Sequence, residues 1–157
     1  MPDYVQTGVS TVKELLQYFT ERSRSADNLR NNILRELRDN LKLLEHRNKS
    51  GVNHQAILQK LSALAIGNAY AANYKFEKLC DGPKKLPSAL VSHKTQQKYI
   101  GWAADQFMYN IEGRINDLHN LPNLYSDLST APINLTLRLD NLYHQLLLFG
   151  LFISRKA

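Results

Sequence analysis

The spacing of aliphatic residues after position 28 constrains this chain more than any other feature. Leu29, Ile33, Leu37, Leu41 and Leu44 recur at intervals of three or four, which puts all five on one face of an α-helix but scatters them over both faces of a β-strand. The same interval returns in Val12, Leu15, Leu16 and Phe19, in Ile57, Leu58, Leu61, Leu64 and Ala65, and in Ile100, Ala104, Phe107, Ile111, Ile115 and Leu118. A chain written this way buries stripe against stripe. The expected fold is all-α, an antiparallel helical bundle of five or six helices.

Local signals set the expected boundaries. The polar run ERSRS at 21–25 closes the first helix, and Ser25 or Asp27 is suited to accept from the free amides of a second that runs from about 26 to 47. NKSGVN at 48–53 stops it, with Gly51 suited to the left-handed conformation. The third stripe is expected to continue through Gly67 toward Tyr70 and Tyr74, because one glycine costs a helix only about 1 kcal/mol. CDGPKKLP at 80–87 then breaks the pattern and opens a Pro/Gly/Lys loop around 80–93. The next helix spans 98–119, with Gly113 on its exposed side and its end before Pro122, and Leu124, Tyr125 and Leu128 suggest a short helical turn. In the last segment Ile133, Leu135, Leu137 and Leu139 alternate like a strand, yet Thr130 with Pro132 suits a helix start and Leu139, Leu142, Leu146 and Phe149 keep helical spacing. A lone strand has no partner elsewhere, so a helix is expected. From Leu142 onward its apolar residues cover nearly the whole circumference, as in a central buried helix or one docked on another subunit.

The 157 residues suit a single domain over 1–157, since a chain of this length buries roughly 70% of its unfolded surface without a covalent staple. A single cysteine, Cys80, excludes an internal disulfide and points to a reducing compartment, the cytoplasm by default. MPDYVQTGVS at the start has the form of no secretory signal, and the longest apolar run, Leu146 to Ile153, is far shorter than the roughly 20 residues of a spanning helix. No membrane role is expected. The seven glycines are never closer than 12 positions, so neither a P-loop nor a dinucleotide fingerprint is written, and no nucleotide cofactor is expected. The five histidines never fall at metal-ligand spacing and no cysteine pair exists, so no metal or other cofactor is expected either.

Charge is the feature that points outward. Twenty Lys and Arg against 14 Asp and Glu leave +6, with a pI near 9.5. The excess is polarised: 21–50 carries eight basic and five acidic residues and 75–98 six and two, whereas 99–153 carries two and five. Arg35, Arg38 and Lys42 share one side of the second helix, opposite its leucines, and Lys84, Lys85, Lys94 and Lys98 occupy or flank the loop. These seven are the candidate nucleic-acid-binding residues, because Lys and Arg hold a phosphate backbone by releasing counterions and need no motif. Tyr70, Tyr74, Phe76, Tyr99 and Trp102 lie among the lysines, either as stacking surfaces for unpaired bases or as ordinary core. Glu36, Asp39 and Glu45 interleave with the basic residues of the second helix, as on any solvated face. Arg30 and Asn40 fall beside the leucine stripe and require buried partners, with Asp27, Glu36, Asp39, Asp105 and Asp140 as candidates for Arg30.

Two segments pair an arginine with a following histidine: Arg47 to His54 (RNKSGVNH) and Arg138 to His144 (RLDNLYH). Both resemble the arginine–histidine motif of the HEPN ribonucleases, small all-helical domains that commonly dimerise around one RNA cleft. The first has a polar second residue, Asn48, but crosses a helix break. The second lies on the last helix, with Leu139 at that position. The resemblance implies metal-independent attack of a ribose 2′-hydroxyl on phosphate, the histidine moving a proton and the arginine stabilising negative charge. No catalytic residue is assigned from the sequence. The expected function is a non-enzymatic interaction module in a homo-oligomer or larger complex, its basic face binding nucleic acid or an acidic protein, with the HEPN-type RNase as the alternative.

Overall fold

The computed structural model describes residues Tyr4 to Arg155, with side chains from Val12 onward. Among these residues six α-helices follow one another: α1 (Tyr4–Arg22), α2 (Asn28–Leu44), α3 (His54–Lys60), α4 (Leu64–Ala71), α5 (Ala104–Leu124) and α6 (Leu135–Ser154). Three short 3₁₀ turns, Phe76–Leu79, Ser88–Leu90 and Lys94–Tyr99, punctuate the long connection between α4 and α5. The fold is the all-α bundle that the aliphatic spacing implies.

Caps start the helices where short polar side chains were available. Asp27 Oδ1 accepts from the Arg30 amide at 3.1 Å to begin α2, and Asn134 accepts from the Leu137 amide to begin α6. From Ile33 onward the aliphatic stripe of α2 is buried between α1, α4 and α6, while Leu29 at its start is half-buried. The segment that reads as strand or helix is helical from Leu135, and α6 is the buried centre: Leu142, Leu146, Phe149, Phe152 and Ile153 are all 2% exposed or less. Leu146 to Ile153 therefore builds the core, with Leu147 and Leu151 left half-buried at its edge. Gly150 lets α6 approach α1 closely; a Cβ there would lie 3.1 Å from both Leu15 and Phe19 side chains. Phe107 of α5 packs on Phe149 and Phe152, with ring centroids at 5.2 and 5.8 Å.

Three boundaries differ from expectation, each for a local reason. The third stripe does not run on through Gly67, because Leu61–Ala63 separates α3 from α4. Two side chains of α2 hold that break open. Asn40 donates to the Ser62 carbonyl at 2.8 Å and accepts the Ser62 amide at 2.9 Å. Glu36 accepts from Ser62 Oγ and from the Ala65 and Ile66 amides, acting as a cap for α4 supplied from outside it. The fourth stripe starts late, at Ala104, with Ile100 42% exposed, and Gln106 Oε1 accepts the Ala103 amide at the helix start. It also ends late, at Leu124, with Pro122 inside its last turn. Leu124 thus belongs to α5 rather than to a separate helical turn.

The expected loop is present and tied down. Leu86 and Trp102 join through the Leu86 amide at 2.8 Å, Gly101 donates back to Leu86, and Asp81 donates to the Ile153 carbonyl at the end of α6. Gly101 has φ +85° and Gly51 φ +80°, the left-handed conformation anticipated for Gly51.

Candidate anion-binding surface

The seven basic residues singled out from the sequence have different neighbours in the fold. On α2, Arg35 donates to the Ser23 carbonyl at 3.0 Å, and Arg38 bonds Asp39 at 3.0 Å and reaches Thr20 Oγ1. Lys42 is exposed. Arg35 and Arg38 thus tie α2 to the end of α1. The loop lysines are less engaged. Lys84 donates to the Glu77 and Cys80 carbonyls, Lys98 lies over the Tyr99 ring at 5.2 Å, and Lys85 and Lys94 are exposed. Among the described residues, none of these four lies within 4.0 Å of a carboxylate.

Most of the aromatics that lie among the lysines in the sequence are packed into the protein. Tyr99 and Phe76 are each 4% exposed, Trp102 packs edge-on to Phe107, and Tyr74 donates its hydroxyl to Asp27. Tyr70 stands at the surface against Phe76, with ring centroids 5.0 Å apart.

Arg30 pairs with Asp81 of the loop at 3.3 Å, not with any of the five acids that sequence proximity or helix facing suggested. Asp140, one of those five, takes Arg47 at 2.6 Å instead. Arg47 also covers the Tyr143 ring at 3.9 Å, and His54 Nε2 donates to the Arg47 carbonyl at 2.7 Å. The Arg47–His54 segment is therefore a clasp between the end of α2, the start of α3 and α6. Arg138 and His144 stay exposed on α6.

Arg138 and His144 line adjoining clefts. The smaller, about 230 Å³, is formed by Arg114, Asp117, Leu118, Arg138 and Asn141. The larger, about 430 Å³, lies between the 93–99 segment, α5 and α6 and contains His93, Lys98, Arg114, His144 and Gln145. Arg114 and Asn141 belong to both, so the two form one groove along α5 and α6. Tyr99 organises the larger cleft: its hydroxyl accepts from Arg114 Nη2 at 3.1 Å while its ring supports Lys98. Gln145, 1% exposed, donates through Nε2 to Asn110 at 2.6 Å, and its carbonyl Oε1 has no hydrogen-bond partner among the described residues.

Sequence reasoning missed Arg114, Tyr99 and Gln145 as parts of one site. The only available signal was a glutamine in the otherwise apolar buried stripe of α6. Arg114 and Lys98 meet through a fold contact that no spacing announces.

Electrostatics distinguish the ionisable groups. His144 is held below its ordinary value by burial of part of its ring and by Arg47 and His93, opposed by Asp140. Burial pushes the Cys80 thiol up to about 11, which keeps it protonated and unsuited as a nucleophile at neutral pH. Among the described residues no group of three or more His, Cys, Asp or Glu is placed to hold a metal, and no helix is long and apolar enough to cross a membrane.

No protein-family model, curated protein or solved structure matches this chain.

Proposed function

We propose that this chain is a non-enzymatic helical binding module that holds an anionic partner, a nucleic-acid backbone, through the lysines of its long α4–α5 connection. One observation carries this reading. Lys84, Lys85, Lys94 and Lys98 stand exposed on a segment fixed by backbone hydrogen bonds, with no carboxylate in ion-pair range among the described residues. Cations not already neutralised are the ones that release counterions on meeting phosphate. The basic residues of α2 are secondary, since Arg35 and Arg38 already serve the α1–α2 junction. An acidic protein surface is the competing partner of like chemistry. Contacts within an oligomer or larger complex would fall on the apolar residues left outside, Leu64, Tyr109, Leu124 and Leu137.

Anisotropy of labelled single-stranded and duplex oligonucleotides tests this. Binding at low salt that weakens as salt rises from about 50 to 200 mM is expected. Absent or salt-insensitive binding contradicts it.

The HEPN-type RNase is the second reading. It is favoured by Arg138 and His144 lining adjoining parts of one groove with Arg114 between them. RNA cleavage in a chelator that vanishes in a folded His144→Ala variant would support it; cleavage retained in that variant would remove it.

A further inference from the structure

We propose that the cleft between residues 93–99, α5 and α6 binds a small phosphate monoester whose organic part carries a hydroxyl. The site lies apart from the loop-lysine surface and shares only Lys98 with it.

Two basic side chains, Lys98 and Arg114 on α5, meet in this cleft, and the imidazoles of His93 and of His144 on α6 line it beside them. Among the described residues no Asp or Glu lines this cleft, Asp117 belonging to the adjoining smaller one, although the stretch 99–153 is net acidic. Neither Lys98 nor Arg114 has a carboxylate within 4.0 Å among the described residues. Both are instead oriented by a neutral group. Tyr99, buried and wedged against Trp102 and Phe107, uses its hydroxyl for Arg114 and its ring face for Lys98. A guanidinium has five N–H donors in a planar fork, and one nitrogen on Tyr99 leaves the rest for phosphate oxygens. Two uncompensated cations fixed by one rigid aromatic make a preorganised anion site.

Gln145 extends the requirement beyond a bare anion. It lines the same cleft, is 1% exposed, and its Oε1 lacks a donor. Buried acceptors are costly to leave unsatisfied. An unsatisfied acceptor in the wall of the cleft is the group that a ligand hydroxyl would satisfy, while Nε2 keeps its bond to Asn110. Phosphate on Arg114 and Lys98 with a hydroxyl on Gln145 describes a sugar phosphate or nucleoside monophosphate. The volume of about 430 Å³ falls in the range of small-molecule pockets.

Isothermal titration of the whole chain with ribose 5-phosphate, inorganic phosphate and ribose tests the proposal. Ribose 5-phosphate is expected to bind about tenfold more tightly than inorganic phosphate, and ribose not detectably. Arg114→Gln and the exposed-site Lys98→Gln should each weaken ribose 5-phosphate by about tenfold, and Tyr99→Phe, which keeps the ring, by about threefold. Gln145→Met should remove the preference over inorganic phosphate, while the pair Lys84→Gln, Lys85→Gln leaves this affinity unchanged. No ribose 5-phosphate binding by the unaltered chain at about 10 mM overturns the proposal, as does unchanged affinity in both Arg114→Gln and Lys98→Gln. Equal affinity for inorganic phosphate and ribose 5-phosphate overturns the role given to Gln145. Loss of oligonucleotide binding without loss of ribose 5-phosphate binding in the Lys84, Lys85 pair separates the two sites.

Discussion

Asp81 is where the loop, α1 and α2 meet. Its carboxylate takes Tyr18 Oη at 2.8 Å, Arg22 at 3.0 Å and Arg30 at 3.3 Å, and its amide reaches the end of α6. Arg22 is 45% exposed and adds little, but the Arg30 side chain is 17% exposed and its Nε already lacks a partner among the described residues. Asp81→Ala leaves that guanidinium without a counterion, and urea unfolding should show a loss of about 2–4 kcal/mol. Burial of two titratable groups, Cys80 beside this junction and Tyr143 on α6, also sets an alkaline limit. Burial pushes Cys80 up to about 11 and Tyr143 up to about 12, both above their ordinary values. Groups whose folded values are raised keep their protons longer folded than unfolded, so their contribution is complete below pH 9 and falls as the pH rises through about 9–12. Thermal melts across that window should show Tm falling, and Cys80→Val should flatten the lower half of the fall. That Arg30 and Asn40 need buried partners was legible from their place beside the leucines. Their partners were not, because Asp81 is 51 residues from Arg30 and the Asn40 partner is a backbone group of Ser62.

Among the elements, the break between α3 and α4 has the clearest cause. Asn40 exchanges two hydrogen bonds with Ser62, and both are removed by Asn40→Ala. Stability should fall by about 2–3 kcal/mol, with Asn40→Asp less damaging only where its oxygen keeps the Ser62 amide. A pair of glycines tests the packing. Gly150 sits at the α1–α6 crossing with Leu15 and Phe19 at 3.1 Å from any added Cβ, so Gly150→Leu overpacks a filled core and should cost at least about 2 kcal/mol. Gly113, on the exposed side of α5, has nothing within 4 Å, and Gly113→Ala should stabilise by up to about 1 kcal/mol. Denaturant midpoints for the two variants must move in opposite directions. Helix identity was readable because the 3.6-residue period survives in each stripe. The α3–α4 break was not, since nothing at Leu61–Ala63 breaks a helix by itself; Glu36 and Asn40 reach in from α2.

At the scale of the molecule, two features of the sequence turn out to have separate meanings. Most of the apolar C-terminal segment is interior, with α6 packed on α1, α2 and α5. The positive charge divides between arginines that hold α1 to α2 and loop lysines that, among the described residues, have no carboxylate within ion-pair range. Composition located the excess by segment. It did not separate those two uses, because partner carbonyls and carboxylates come from distant positions. The central claim is that the loop lysines meet a phosphate backbone, and the salt dependence of oligonucleotide binding tests it most directly. The slope of log K against log salt should be steep for the unaltered chain and shallower by roughly one unit for each of Lys84→Gln and Lys85→Gln, with Lys42→Gln changing it less. An unaltered slope in the double variant, or a slope near zero in the parent chain, would contradict it.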